Sequence, residues 1–226
     1  ELYATDIAKK NDRLTIGNLD LKPEKNNYFS LSAEYVHERF SVSVNAFYNN
    51  IRDMIDYNTI ATGDKAMEQY GHKEVRQRDN IAEAKVHGIN VSANAYLGAG
   101  FNLSGGYTHL NTQDVELEQP IDKSIKNAYN INAQWAHSWK IYRLNINLNG
   151  RFNSKRFSKS YGYAPEYQLW DLNTRHSFNL KSVIIEPGCG MENLFDYMDD
   201  RPYNSNYATL TPGRSFYISL SLKFKS

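Results

Sequence analysis

Apolar and polar residues take turns along most of the chain. Across residues 40–48, Phe40, Val42, Val44, Ala46 and Tyr48 alternate with Ser41, Ser43, Asn45 and Phe47, which places an apolar row on one face of an extended strand. The same grammar governs residues 142–152, where Tyr142, Leu144, Ile146, Leu148, Gly150 and Phe152 oppose Arg143, Asn145, Asn147, Asn149 and Arg151. It returns near the end, with Phe216, Ile218, Leu220, Leu222 and Phe224 set against Tyr217, Ser219, Ser221 and Lys223. Residues 28–36, 82–97, 101–111, 127–137 and 167–178 follow it less strictly. A ninth segment, residues 183–195, is interrupted by Pro187 and Gly188, which predicts a strand carrying a bulge.

The connections carry more information than the strands. Residues 37–39, 98–100, 138–141 and 179–182 leave room only for tight hairpins, whereas residues 49–81, 112–126, 153–166 and 196–215 are long links. Short and long alternate without exception. A transmembrane β-barrel has this rhythm, with short periplasmic turns and long outer loops, and a soluble sandwich has no reason to sort loops by parity. Strands of about 9 to 11 tilted residues cross the hydrocarbon layer. Aromatic pairs near strand ends (Phe40 and Tyr48, Phe101 and Tyr107, Trp135 and Trp139, Tyr142 and Phe152) fit interfacial girdles.

The pattern therefore predicts an all-β fold, an antiparallel transmembrane β-barrel segment of about nine strands. By the same alternation, residues 1–27 form an extracellular loop region and residues 28–226 the strands and loops. An odd strand count leaves a backbone edge unsatisfied in lipid, so further strands are expected outside the sequence.

Composition changes this picture little. In 226 residues, 26 basic and 25 acidic side chains leave a formal charge of +1, so nothing electrostatic suggests a nucleic-acid partner. Mean hydropathy of −0.65 argues against a membrane-spanning helix, but a barrel escapes that test because half of each strand is polar. The one cysteine, Cys189, has no intrachain partner and reads as a small apolar strand residue. The chain opens on Glu1 without a leader pattern, so any export signal is expected outside it.

Five ordered segments resemble the TonB-dependent outer-membrane receptors. Residues 16–24, Ile-Gly-Asn-Leu-Asp-Leu-Lys-Pro-Glu, resemble the family's Asn-Pro-Asp-Leu-Lys-Pro-Glu box, with Leu19 in place of proline. Residues 44–55 look like the strand that follows it. Residues 84–90 resemble an Ala-x-x-x-Gly-hydrophobic-Glu segment, with Asn90 replacing the acid. Residues 192–196, Glu-Asn-Leu-Phe-Asp, and 212–217, Pro-Gly-Arg-Ser-Phe-Tyr, resemble the signatures around the last two strands. Lys225 and Ser226 depart from the usual aromatic terminus.

The resemblance implies the C-terminal part of a barrel of about 22 strands around a plugged lumen, with the plug domain absent here. It also implies TonB-dependent uptake of a scarce solute, such as an iron chelate or cobalamin, through the outer membrane of a Gram-negative bacterium. TonB would act through the N-terminal plug; the other partners are the solute and outer-membrane lipid. A passive porin is the alternative, because it shares the strand grammar.

Within the long links, Tyr161, Tyr163, Tyr203 and Tyr207 are candidates to stack on a ligand, and Arg76 and Arg78 to attract an anionic chelate. His72 is a possible haem contact, although no histidine precedes the residue 16–24 box. His37, His137 and His176 are not bound by any motif into a catalytic constellation, so no enzymatic activity, catalytic residue, cofactor or metal set is expected.

Overall fold

The computed structural model describes residues 8–10, 12–159, 161–199 and 211–225. In chain order its strands are β1 (Ala8–Lys10), β2 (Arg13–Ile16), β3 (Lys25–His37), β4 (Phe40–Thr62), β5 (Glu74–Gly98), β6 (Phe101–Asp114) and β7 (Asn127–Trp139). They continue as β8 (Tyr142–Asn153), β9 (Arg156–Ser158), β10 (Gly162–Ala164), β11 (Tyr167–Asn179), β12 (Val183–Glu192) and β13 (Ser215–Phe224). One helix, α1 (Gly63–Tyr70), lies between β4 and β5. All nine segments expected from alternation are strands.

The chain divides into two compact units. The first comprises Glu1–Phe29, Tyr48–His87 and Thr112–Pro120; the second comprises Ser30–Phe47, Gly88–Asn111 and Ile121–Ser226.

In the second unit long strands pair with their neighbours in sequence, and register confirms the two faces. Across β7 and β8, Ile131 opposes Gly150, Ala133 opposes Leu148 and Trp135 opposes Ile146, while Asn132 opposes Asn149 and Gln134 opposes Asn147. The β8–β11 and β12–β13 ladders keep the same parity, for instance Leu148 with Leu172 and Cys189 with Ile218. On the polar face Asn132 Nδ2 donates to Asn147 Oδ1 at 2.7 Å and to Asn149 Oδ1 at 2.5 Å. On the apolar face Ile218 is 88% exposed, an exposure that water would penalise and acyl chains would not.

Two aromatic bands bound that face. One holds Trp139 and Tyr142, with ring centroids 5.4 Å apart, and Tyr142 and Phe178 at 5.0 Å. The other holds Tyr107 and Tyr129 at 4.7 Å and Tyr129 and Phe152 at 5.5 Å. Ten residue steps separate Tyr142 from Phe152, about 33 Å along a strand and about 25 Å at a tilt near 40°, the height of an outward apolar band. Between the bands Gly150 leaves space that Trp170 fills, since a Cβ there would lie 2.6 Å from its ring.

The expected bulge at Pro187 and Gly188 is absent. The β12–β13 register runs unbroken through Pro187 opposite Leu220, and β11 pairs with β12 in one register on both sides of a gap at Glu186 and Pro187. Losing one N–H interrupts the ladder locally, and the flanking pairs hold its alignment.

The expected link of residues 49–81 is largely strand in the structure, because β4 reaches Thr62 and β5 begins at Glu74. Within β4 Asp53 takes a left-handed conformation (φ 57°). In the first unit β1 and β2 form a hairpin within residues 1–27, and β2 lies parallel to β5 with Leu14 opposite Val75. Leu14, Val75 and Ala66 of α1 form a small buried cluster against Ile16, Ala61 and Tyr70. Among the described residues β3 pairs only with β4 and β13 only with β12, so the sheet is open at both.

If residue 146 faces mid-bilayer lipid and residue 147 the interior, Ile146→Arg in the parent protein destabilises folding into lipid vesicles by about 2–4 kcal/mol, while Asn147→Arg has little effect. Urea titration of vesicle-folded protein measures both, and equal tolerance contradicts the assigned faces.

Candidate functional site

The first unit builds its polar surface on the residue 16–24 box. Asn80 on β5 holds Lys22 like a strand partner: the Lys22 N–H donates to Asn80 Oδ1 at 2.7 Å, and Asn80 Nδ2 donates to the Lys22 carbonyl at 2.9 Å. The same amide reaches the Asp53 carbonyl at 2.6 Å. Glu24 accepts the Ile55 N–H at 2.8 Å, Lys25 pairs with Asp53 at 3.4 Å, and Leu21 is buried. The box thus ties the entry of β3 to β4 and β5 just where Asp53 disturbs regular pairing.

Beside it, Glu74, Arg76, Arg78 and Asn80 occupy alternate positions of β5 and share a face. Glu74 accepts hydrogen bonds from Arg13 Nε at 2.7 Å and Arg76 Nε at 2.5 Å. Those bonds, Arg13's first, hold its carboxyl below the usual carboxylate range. Arg78 donates to the Tyr57 hydroxyl at 2.8 Å, and its guanidinium carbon lies 4.6 Å from that ring's centroid. Arg76 is therefore engaged by an acid, whereas Arg78 is oriented by a neutral ring and makes no ion pair among the described residues. Tyr57, which is 41% exposed, escapes sequence reading because nothing local announces its distant partner. His72 is half-buried in the turn between α1 and β5.

In the second unit Tyr161 and Tyr163 belong to one small hairpin. β9 and β10 pair Phe157 with Tyr163, whose rings meet edge-on at 5.3 Å, and both tyrosines are exposed. The hairpin is fastened to residues 121–125 through backbone bonds from Lys123 to Phe157 and from Phe157 to Ser124. Arginine and tyrosine candidates thus fall in separate units. Tyr203 and Tyr207 lie outside the described residues.

The signatures around the last two strands form a clamp. Asn193 is buried (4% exposed); its Nδ2 donates to the carbonyls of Tyr197 at 2.7 Å and Pro212 at 3.1 Å, and its Oδ1 accepts the Tyr197 N–H at 2.8 Å. Asp196 accepts the Arg214 N–H at 2.6 Å, and Asp171 accepts the Asn193 N–H at 3.0 Å. These bonds close the base of the last long link and end β12 at Glu192, short of residue 195. Asn90, standing where the resemblance has an acid, accepts from Thr108 at 2.9 Å within the polar face. His37, His137 and His176 each lie against aromatic rings: Phe40 at 5.2 Å, Trp139 at 4.4 Å and Tyr142 at 6.0 Å respectively.

Residues 1–194 match the family model described as "TonB dependent receptor-like, beta-barrel". The chain belongs to this family. A curated relative, the probable TonB-dependent siderophore receptor PiuA of Acinetobacter baumannii, is 28% identical over 162 residues, which is 64% of this chain and 21% of that protein. Among solved structures, the siderophore receptor PirA from Acinetobacter baumannii superposes with a TM-score of 0.69 at 18% identity, over 94% of this chain and 33% of the other. A mutant (G324V) of the ferric enterobactin receptor PfeA from Pseudomonas aeruginosa gives 0.69 at 20% identity, over 94% and 32%. The TonB-dependent receptor chain here therefore spans about a fifth of that curated relative and a third of those solved barrels. Its family is one of transporters and receptors.

Two outcomes test the clamps. Asn193→Ala leaves the Tyr197 N–H without its acceptor and destabilises the parent receptor by about 1–3 kcal/mol, read by urea titration in vesicles; an unchanged midpoint contradicts the clamp. The lowered Glu74 carboxyl stabilises β2 against β5 at pH values above its unfolded value, and this is lost as pH falls through the folded value. Protection of residues 13–16 against hydrogen exchange, taken relative to the intrinsic rate at each pH, therefore falls on acidification, and in Glu74→Gln it is already low at neutral pH and flatter with pH. The same pH dependence in both proteins contradicts the assignment.

Proposed function

We propose that the parent protein imports an iron chelate across the outer membrane of a Gram-negative bacterium by the TonB route. In this reading the chain contributes nine adjacent wall strands and their outer loops. The observation that carries it is the family match over residues 1–194 on a sheet with one lipid-type face and one polar face. Relatives bearing the words siderophore receptor and ferric enterobactin receptor supply the substrate class.

The hairpins at residues 38–39, 99–100 and 140–141 face the periplasm and the long links face outward, with residues 1–27 on the outer side. TonB acts through a plug carried by other parts of the parent polypeptide, and those parts close the wall whose edges are β3 and β13. Arg76 and Arg78 are proposed chelate contacts of the first unit, and Tyr161, Tyr163, Tyr203 and Tyr207 are separate candidates. Arg78 is the strongest of them, because Tyr57 pre-orients a guanidinium that makes no ion pair with a carboxylate among the described residues.

Growth of the source bacterium on single iron chelates, with the gene intact, deleted, or carrying Arg78→Ala, tests this. One chelate supports growth only with the gene and with TonB, and Arg78→Ala raises the half-maximal concentration about tenfold, equivalent to about 1.4 kcal/mol. Uptake that persists without TonB, as through a passive porin, contradicts the proposal.

A further inference from the structure

On the apolar face of the second unit, two imidazoles stand where the alternation elsewhere places Leu and Ile. His137 of β7 is opposite Leu144 of β8, and Leu144 is opposite His176 of β11, so one register row across three strands reads His, Leu, His. The next row toward the short turns reads Trp139, Tyr142, Phe178. About 7 Å along the strand separates the two rows.

Three of these rings carry polar atoms that no protein group satisfies among the described residues. The Tyr142 hydroxyl lies 2.7 Å from His176 Nδ1; with the hydroxyl donating, the imidazole proton is on Nε2, which has no acceptor there. His137 meets Trp139 edge-on at 4.4 Å and stacks on Trp135 at 5.9 Å, but makes no hydrogen bond. The Trp139 indole N–H likewise has no acceptor, and that side chain is half exposed. Facing hydrocarbon, each group costs free energy that an acceptor at the membrane interface removes.

The charge at this corner has one sign. The Asn179 N–H donates to the Ile141 carbonyl at 2.7 Å, which sets the turn carrying Lys140 beside the turn carrying Lys181. Both lysines are exposed and make no ion pair among the described residues. Across β7, β8, β11, β12 and β13 the carboxylates are Asp171, Glu186 and Glu192, opposite Asn149, Ser221 and Ser215 respectively, and so on the polar face. In these strands the apolar face and its short-turn rim thus present cations and N–H donors without a carboxylate.

We propose that this corner of the sheet binds the headgroup of an anionic glycerophospholipid, such as phosphatidylglycerol, with its acyl chains along Leu144, Ile146 and Leu148. Lys140 and Lys181 reach the phosphate from the turns, and His137, His176 and Trp139 donate to phosphate and ester oxygens. The inference rests on the membrane-wall reading of the sheet. An anionic lipid is specified because a phosphate balanced by its own amine leaves two lysines unmet. A lipid rather than free phosphate is specified because the imidazoles stand about 10 Å apart across two strand spacings, a span that a phosphate fills only together with the glycerol esters beside it.

The test places the full-length receptor in phosphatidylcholine vesicles with a trace of phosphatidylglycerol, photoreactive at its headgroup glycerol, and maps the labelled peptides by mass spectrometry. Label is expected within residues 137–144 and 176–181, competed by excess phosphatidylglycerol but not by inorganic phosphate or more phosphatidylcholine. It falls about tenfold in the double variant His137→Leu, His176→Leu and in the double variant Lys140→Gln, Lys181→Gln. Heat-modifiable migration on gels verifies that each variant is folded, and Phe replaces Leu at both positions if the first pair does not assemble. Label spread evenly over the apolar-face peptides, competition by inorganic phosphate, or label indifferent to either pair of substitutions overturns the proposal. A second lipid, photoreactive in mid-acyl chain, separates this site from the reading beneath it. No label from that lipid at residues 144–148 removes the membrane wall and this site with it, whereas label there without headgroup selectivity removes only the site.

Discussion

In hydrocarbon no water is available to a backbone amide or carbonyl, so a chain that crosses it as strands must pair every one of them with a neighbour. The ladders β6–β7, β7–β8, β8–β11 and β12–β13 pair backbone groups in this way, and the side chains follow from it. Once the backbone is extended and paired, successive residues point to opposite sides. Leu144, Ile146 and Leu148 then share one face, suited to acyl chains, and Asn145, Asn147 and Asn149 share the other, suited to a polar interior. An amide such as Asn132 is tolerated because Asn147 and Asn149 accept from it.

Pairing accounts for the strands, but the long links obey a different economy. In water they must hold shape with few apolar residues, and they do so by side-chain amides and carboxylates that imitate strand partners. Asn80 closes on Lys22, Glu24 caps Ile55, and Asn193 binds two carbonyls and one N–H across the last link. Segments that resemble family signatures thus act in this structure as fasteners of the polypeptide. Arg78, one of the candidates to meet a solute, likewise takes its orientation from a distant side chain, Tyr57.

Strands within the apolar band were legible from sequence because two solvents, lipid and interior, enforce alternation residue by residue. β8 shows it most clearly, and its predicted limits differ from the observed Tyr142–Asn153 by one residue. Outside the band that pressure ends. The extensions of β4 and β5, the parallel pairing of β2 with β5, and α1 carry no periodic signal. Pro187 removes a donor without displacing the register, because neighbours on both sides of β12 hold its alignment. Of the candidate site, Arg76 and Arg78 were visible as charges in a link, but Arg13, Glu74 and Tyr57 gain their meaning only from contacts 21 to 61 residues away.

The two-faced wall is tested most directly by spin labels placed singly at residues 143–151 of the parent receptor in vesicles, with accessibility to oxygen and to a water-soluble nickel chelate measured at each. Labels at 144, 146 and 148 should favour oxygen and those at 145, 147 and 149 the nickel chelate, with a period of two. A period near 3.6, or uniform access to the nickel chelate at every position, would contradict the account.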